Sequence, residues 1–180
     1  MQKKQIGSLL MVASLCCLVG CQTTPSKTQI RELNTAFQQI GQTEFVTILP
    51  QKLRYRARID TGATTCSISA LDIERFERDG KKWVRFRFPV PQDGKAGEGA
   101  KKTDIQEYPL TREVPIKRHG GPDQIRPAVK LQMQLGSFNG RVEFTLTDRS
   151  KYEYPVLIGR NMLEGNAVVD VSKSYVAEEE

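Results

Sequence analysis

Between Leu53 and Ile59 the chain changes character at every residue: Leu53, Tyr55, Ala57 and Ile59 share one parity, and Arg54, Arg56 and Arg58 share the other. Side chains that alternate with period two suit a strand with one face in a core and one in water, whereas the apolar stripe of a helix recurs every three to four residues. Val84, Phe86, Phe88 and Val90 repeat the pattern, and so do Val129, Leu131, Met133 and Leu135. Apolar runs at 45–49 and 156–158 add further strands, and Asp79-Gly80 and Asn139-Gly140 read as hairpin turns. These segments predict a mainly β chain.

The strand 53–59 runs into Asp60-Thr61-Gly62-Ala63. A carboxylate at a strand end, followed by a hydroxyl and a glycine expected to take a dihedral closed to other residues, can be held by donors of its own turn. That arrangement serves an Asx turn in any β protein, and it also serves a carboxylate fixed for acid–base work. A second stretch, Tyr154-Pro155-Val156-Leu157-Ile158-Gly159-Arg160-Asn161-Met162-Leu163, reads as a short buried strand, a glycine and the start of a helical turn. Gly159 is expected to let this segment pass close to the Asp60 loop.

With both stretches in view, the chain resembles the retropepsin-type aspartic peptidases, whose monomer carries one D-T/S-G-A and, later, one hydrophobic-hydrophobic-Gly-Arg-Asn/Asp segment. The fuller strings 56–63 and 154–160 are similar to bacterial retropepsin-like domains labelled ATP-dependent zinc proteases, over residues 43–174. The resemblance implies a closed, β-barrel-like domain and peptide hydrolysis by two Asp60 carboxylates that meet across the axis of a homodimer. It implies that Thr61 braces the interface and that Gly62 orients the carboxylate or touches substrate backbone, with Ala63, Gly159, Arg160 and Asn161 supporting the site. In viral members the arginine pairs with an aspartate just after D-T-G-A. Thr64 and Thr65 stand here instead, so Arg160 needs another partner. The separation of the two motifs exceeds that of the compact viral enzymes and implies inserted strands or loops. A movable hairpin belongs between the motifs, and the glycine-rich segment 91–102 is expected to supply its tip, or else to be an ordinary mobile loop.

Neither half of that label finds residues to support it. Zinc takes three or four ligands from His, Cys and carboxylates, and the chain has one histidine, His119, in a Gly-Gly-Pro turn. There is no H-E-x-x-H and no phosphate-binding G-x-x-x-x-G-K-[S/T]. The expectation is no cofactor, no zinc and no ATP. The net charge of +6 is spread over alternating arginines, which predicts solvated sheet faces and no nucleic-acid surface.

At the amino terminus, Lys3 and Lys4 precede an apolar run that ends in Leu18-Val19-Gly20-Cys21. The run is short for a membrane span, and its last four residues resemble a bacterial lipobox. The expected organisation is a lipoprotein signal at 1–20, a lipidated tether and short amphipathic helix at 21–42, the domain at 43–174 and a solvated acidic tail at 175–180. Ile30, Leu33, Phe37 and Ile40 suggest the helix by their spacing. Lipidation of Cys21 places the domain in the cell envelope, and Gln22 after it favours the outer membrane by resemblance to Gram-negative lipoproteins. Cys66, left alone once Cys16 and Cys17 depart with the signal, is expected to be buried without a disulfide. An envelope aspartic endopeptidase is the leading reading; a non-catalytic peptide- or glycan-binding domain of the same fold, and a structural lipoprotein, are the alternatives.

Overall fold

In this computed structural model the described residues are 37–117 and 123–177. In chain order the strands are β1 (Gln38–Gly41), β2 (Thr43–Leu49), β3 (Leu53–Ile59), β4 (Cys66–Ser69), β5 (Leu71–Arg78) and β6 (Lys81–Arg87). They continue as β7 (Gln106–Pro109), β8 (Arg112–Ile116), β9 (Gln124–Leu135), β10 (Phe138–Thr147), β11 (Val156–Ile158) and β12 (Ala167–Asp170), with one short helix, α1 (Arg160–Leu163), before β12.

Six of these strands close a barrel in the order β10-β4-β11-β3-β2-β9, because β9 also pairs with β10. This is the retropepsin-like, mainly β architecture that the sequence led us to expect. The alternation along β3 puts Tyr55 and Ala57 fully inside while Arg54 and Arg58 face water. Ile48, Ile68, Leu131, Met133, Phe144 and Ile158 complete the interior, each contributing roughly 1.5–3 kcal/mol on burial. Strand β11 lies between β3 and β4, parallel to the first and antiparallel to the second. The two motif segments are thereby brought side by side.

The additional strands implied by the long separation of the motifs are β5, β6 and β7, a three-stranded antiparallel sheet of their own. Asp79 and Gly80 make its first turn with φ of 51° and 69°, the left-handed pair that a two-residue hairpin demands. Its inner face, Val84 and Phe86, together with Phe88 just past β6, joins the barrel interior in one continuous core.

Several expectations are corrected. The segment 38–41, assigned to an amphipathic helix, is strand β1 and pairs in parallel with β12; Ile30 and Leu33 lie outside the described residues, as do Cys21 and His119. The turn between β9 and β10 is at Gly136, with φ +53°, and not at Asn139-Gly140, which sits within β10. Gly140 is instead covered by the ring of Phe138, which a Cβ there would meet at 2.8 Å. The ordered domain also extends past the expected limits of 43 and 174, since Val176 and Ala177 donate to the buried carboxylate of Glu44.

The segment 91–102 is not the hairpin tip. Gly94 is packed against Phe45 and Arg56, and its carbonyl accepts the Arg56 amide at 2.8 Å, which fastens the segment to the barrel wall along β3. The hairpin that lies between the motifs and leaves the barrel is β8 with the first half of β9, whose connection contains the undescribed residues 118–122.

Candidate active site

Asp60 follows β3 directly, and its amide donates to the Ile158 carbonyl at 2.9 Å, continuing the pairing of β3 with β11. The chain then turns back on the side chain. The amides of Gly62 and Ala63 donate to Asp60 Oδ1 at 3.0 and 3.1 Å, so the carboxylate is fixed by its own loop. The conformation of Gly62 differs from the expected one. Its backbone is not in the left-handed region; a Cβ would instead lie 3.3 Å from Asp60 Oδ1, so the glycine leaves room for the carboxylate. Thr61 is exposed.

The second motif laces this loop from beneath. Gly159 has no space for a side chain: a Cβ would lie 2.8 Å from the Thr65 carbonyl carbon and 2.9 Å from the Ala63 oxygen. The Arg160 amide donates to the Ala63 carbonyl at 2.8 Å and that of Asn161 to Thr64 at 3.1 Å. The Arg160 side chain, deprived of an aspartate by Thr64, donates to the Gly62 carbonyl at 3.2 Å and to Thr64 Oγ1 at 3.1 Å, and lies 3.6 Å from Glu164. It clamps the Asp60 loop of its own chain. Asn161 Oδ1 accepts the Cys66 amide at 2.9 Å while its amide nitrogen donates to the Glu143 carbonyl, also at 2.9 Å. The Cys66 thiol is buried and lies 3.1 Å from Asn161 Oδ1; desolvation pushes its pKa up to about 12, against the lowering by its backbone hydrogen bonds. All seven expected residues of the two motifs are therefore in one neighbourhood: Asp60, Thr61, Gly62, Ala63, Gly159, Arg160 and Asn161.

Sequence reasoning missed Arg149, because an Asp-Arg-Ser stretch between two strands reads as a polar turn. It is 6% exposed; its amide donates to Ser69 Oγ, its Nε donates to the Tyr154 carbonyl at 3.0 Å, and its guanidinium lies 4.6 Å from the centre of the Tyr152 ring. Burial holds its pKa below the usual arginine range, the charge of Arg126 acts in the same direction, and Tyr152 and Asp60 oppose them. Asp60, Arg126 and Arg149 thus share one electrostatic neighbourhood. Beside it a cavity of about 470 Å³ lies between β9, the loop after β10 and β5, with Arg75, Arg126, Asp148 and Lys151 among its charged walls. Among the described residues, no three His, Cys, Asp or Glu side chains converge as a metal site would require.

Comparison with known proteins gives this geometry a context. A family profile described as retropepsin-like aspartic endopeptidase RimB matches residues 39–180. A protein of Shewanella pealeana named probable alpha-L-glutamate ligase is 33% identical over 121 residues, which are 67% of this chain and 25% of that protein. A like-named protein of Parasynechococcus marenigrum is 29% identical over 120 residues, again 67% of this chain and 25% of the relative. The match therefore spans about a quarter of the length of these curated relatives. Among solved structures, a Legionella pneumophila protein of unknown function, Lpg0085, aligns with TM-score 0.63 and 28% identity over 78% of this chain and 98% of its own. With both motifs assembled on a closed barrel and the profile matched over most of its length, the chain belongs to the RimB-like family of retropepsin-like aspartic endopeptidases.

Proposed function

We propose that the chain is an aspartic endopeptidase whose site is completed by a second copy, with the two Asp60 carboxylates facing each other across a twofold axis. The observation that carries this reading is the setting of Asp60, half-buried, with Oδ1 held by two amides of its loop. One such loop per chain supports a symmetric pair. Like charges that close do not both ionise, so the pair retains one proton and offers a base and an acid together. The ionised carboxylate takes a proton from a water held between them while the water oxygen bonds to the scissile carbonyl carbon. The protonated carboxyl gives its proton to the carbonyl oxygen. Collapse of the tetrahedral diol then moves a proton to the amide nitrogen, the C–N bond breaks, and an acid and an amine leave. Thr61 braces the two loops in this arrangement, and Gly62 keeps the carboxylate aligned.

The proposed substrates are glutamate-bearing peptides of the cell envelope. Relatives named alpha-L-glutamate ligase contain a matching segment, and Arg126 and Lys151 line the cleft whose Tyr152 packs on Arg149. The envelope address rests on lipidation of Cys21; labelled palmitate should enter the wild-type chain and not Cys21→Ser, and equal labelling would remove the address. For the reaction, the test is cleavage of a peptide library that includes glutamate-rich members, read by mass spectrometry across about pH 4 to 8, with Asp60→Asn in parallel. Reproducible cuts absent from the variant are expected. No cuts at high protein concentration would leave the second reading, a binding domain without catalysis. That reading draws support from the ligase-named relatives, where the matching segment is only a quarter of a longer protein.

A further inference from the structure

One side chain of the inserted sheet reaches both strands of the β8–β9 hairpin, and a bulge aims it there. Between the pairs Leu71↔Arg87 and Glu74↔Arg85, β5 carries one residue more than β6, and Asp72 takes φ +55° at that point. An extra residue reverses which face every later side chain occupies. Glu74, Phe76 and Arg78 consequently lie on the outer face, where the Phe76 ring is 6.4 Å from that of Trp83. Ile73 and Arg75 turn to the cleft and line it.

Arg75 Nε meets Glu113 Oε1 of β8 at 2.6 Å, and Arg75 Nη2 donates to the Ile125 carbonyl of β9 at 3.1 Å. One planar guanidinium therefore spans both strands of the hairpin, a geometry a lysine cannot reproduce. On the opposite flank Arg112 of β8 lies 2.7 Å from Glu143 of β10 and donates to Thr65 Oγ1 at 3.2 Å, just beyond the Asp60 loop. The hairpin is thus tied to the barrel on one side and to the insert on the other. The insert is a firm support, since its inner face belongs to the common core. Strand β8 is not: among the described residues it pairs with β9 alone, and none of its five residues is buried. An element of that kind opens at low free energy unless its side chains are held.

We infer that the inserted sheet is the brace of the β8–β9 hairpin, whose β9 strand lines the cleft, and that Arg75 is the positioning residue that sets how far these two strands open. The effect on turnover rests on the proposed peptidase reading; the effect on the hairpin does not. Hydrogen exchange read by mass spectrometry on the full chain tests it, with Arg75→Ala, Arg75→Lys and Glu113→Gln compared against wild type and the amides of β10 as internal reference. Arg75→Ala should speed exchange in β8 and at 124–128 by about fivefold while β10 stays unchanged, and Arg75→Lys should recover only part of the protection. Unchanged hairpin exchange in Arg75→Ala overturns the brace. Should Arg75→Ala also loosen β10, Glu113→Gln decides, since it alters the tie from the hairpin side: no local acceleration there overturns the inference as well. With glutamate-rich peptides, Arg75→Ala should raise KM more than it lowers kcat. Local acceleration in a chain that never cleaves would retire the peptidase reading and keep the brace.

Discussion

Beneath the Asp60 loop, Cys66 is fully buried, and burial disfavours its thiolate. Its pKa rises from an ordinary 9.0 to about 12. Below pH 9 the folded and unfolded chains both keep the proton. Between 9 and about 12 the unfolded chain loses it and the folded chain does not, so stability falls with rising pH by up to ~1.4 kcal/mol per unit. Urea midpoints measured at pH 8, 9 and 10 should decline, and Cys66→Ser should show a shallower decline over the same interval. Tyr55, also raised by burial, adds its own loss above its ordinary value of 10.0. Equal slopes in the variant and the wild type would show that the thiol is not the group responsible. At this scale the sequence was informative where a residue's neighbours in the chain are its neighbours in space, as with Asp60 and the amides of Gly62 and Ala63. It was silent where partners come from afar: nothing local to Asn161 shows that it receives the Cys66 amide, and nothing local to Arg149 places it near Asp60.

Among the elements, the pair β1–β12 and the carboxyl-terminal strap depend on Glu44, a fully buried carboxylate. It accepts the amides of Gly41, Val176 and Ala177, while Tyr175 donates its amide to the Thr43 carbonyl at 2.8 Å and lays its ring 4.8 Å from Phe45. Glu44→Ala removes the acceptor for three amides at once and should lower stability by about 3 kcal/mol; Glu44→Gln, which keeps one oxygen, should lose less. Chemical denaturation monitored at Trp83 measures both, and an unchanged midpoint in the alanine variant would show that the strap contributes nothing. The same region explains the one element that periodicity assigned to the wrong class. Ile40 fits a helical stripe drawn from its own neighbours, but the hydrogen bonds of β1 are made with β12, near the other end of the chain. Tertiary pairing of this kind overrides a local pattern, whereas in β3 the pattern and the pairing agree.

For the whole molecule, the decisive property is how many chains make one site. The barrel supplies one fixed carboxylate, and the proposed mechanism needs two that share a proton. If each site takes one Asp60 from each of two chains, a dimer containing a single Asp60→Asn copy has no acid–base pair and does not turn over. Mixing equal amounts of wild-type and variant chains, with time for subunits to exchange, then leaves active only the dimers in which both copies are wild type, about a quarter of the total. A site complete within one chain would leave about half. The specific activity of the mixture, referred to total chain, distinguishes these values directly, and dilution of the wild type alone should lower activity per chain once dimers dissociate. A residual of one half, with activity per chain independent of concentration, would mean that Asp60 works with a partner inside its own barrel. The twofold pair would then have to be abandoned even if peptide cleavage were real.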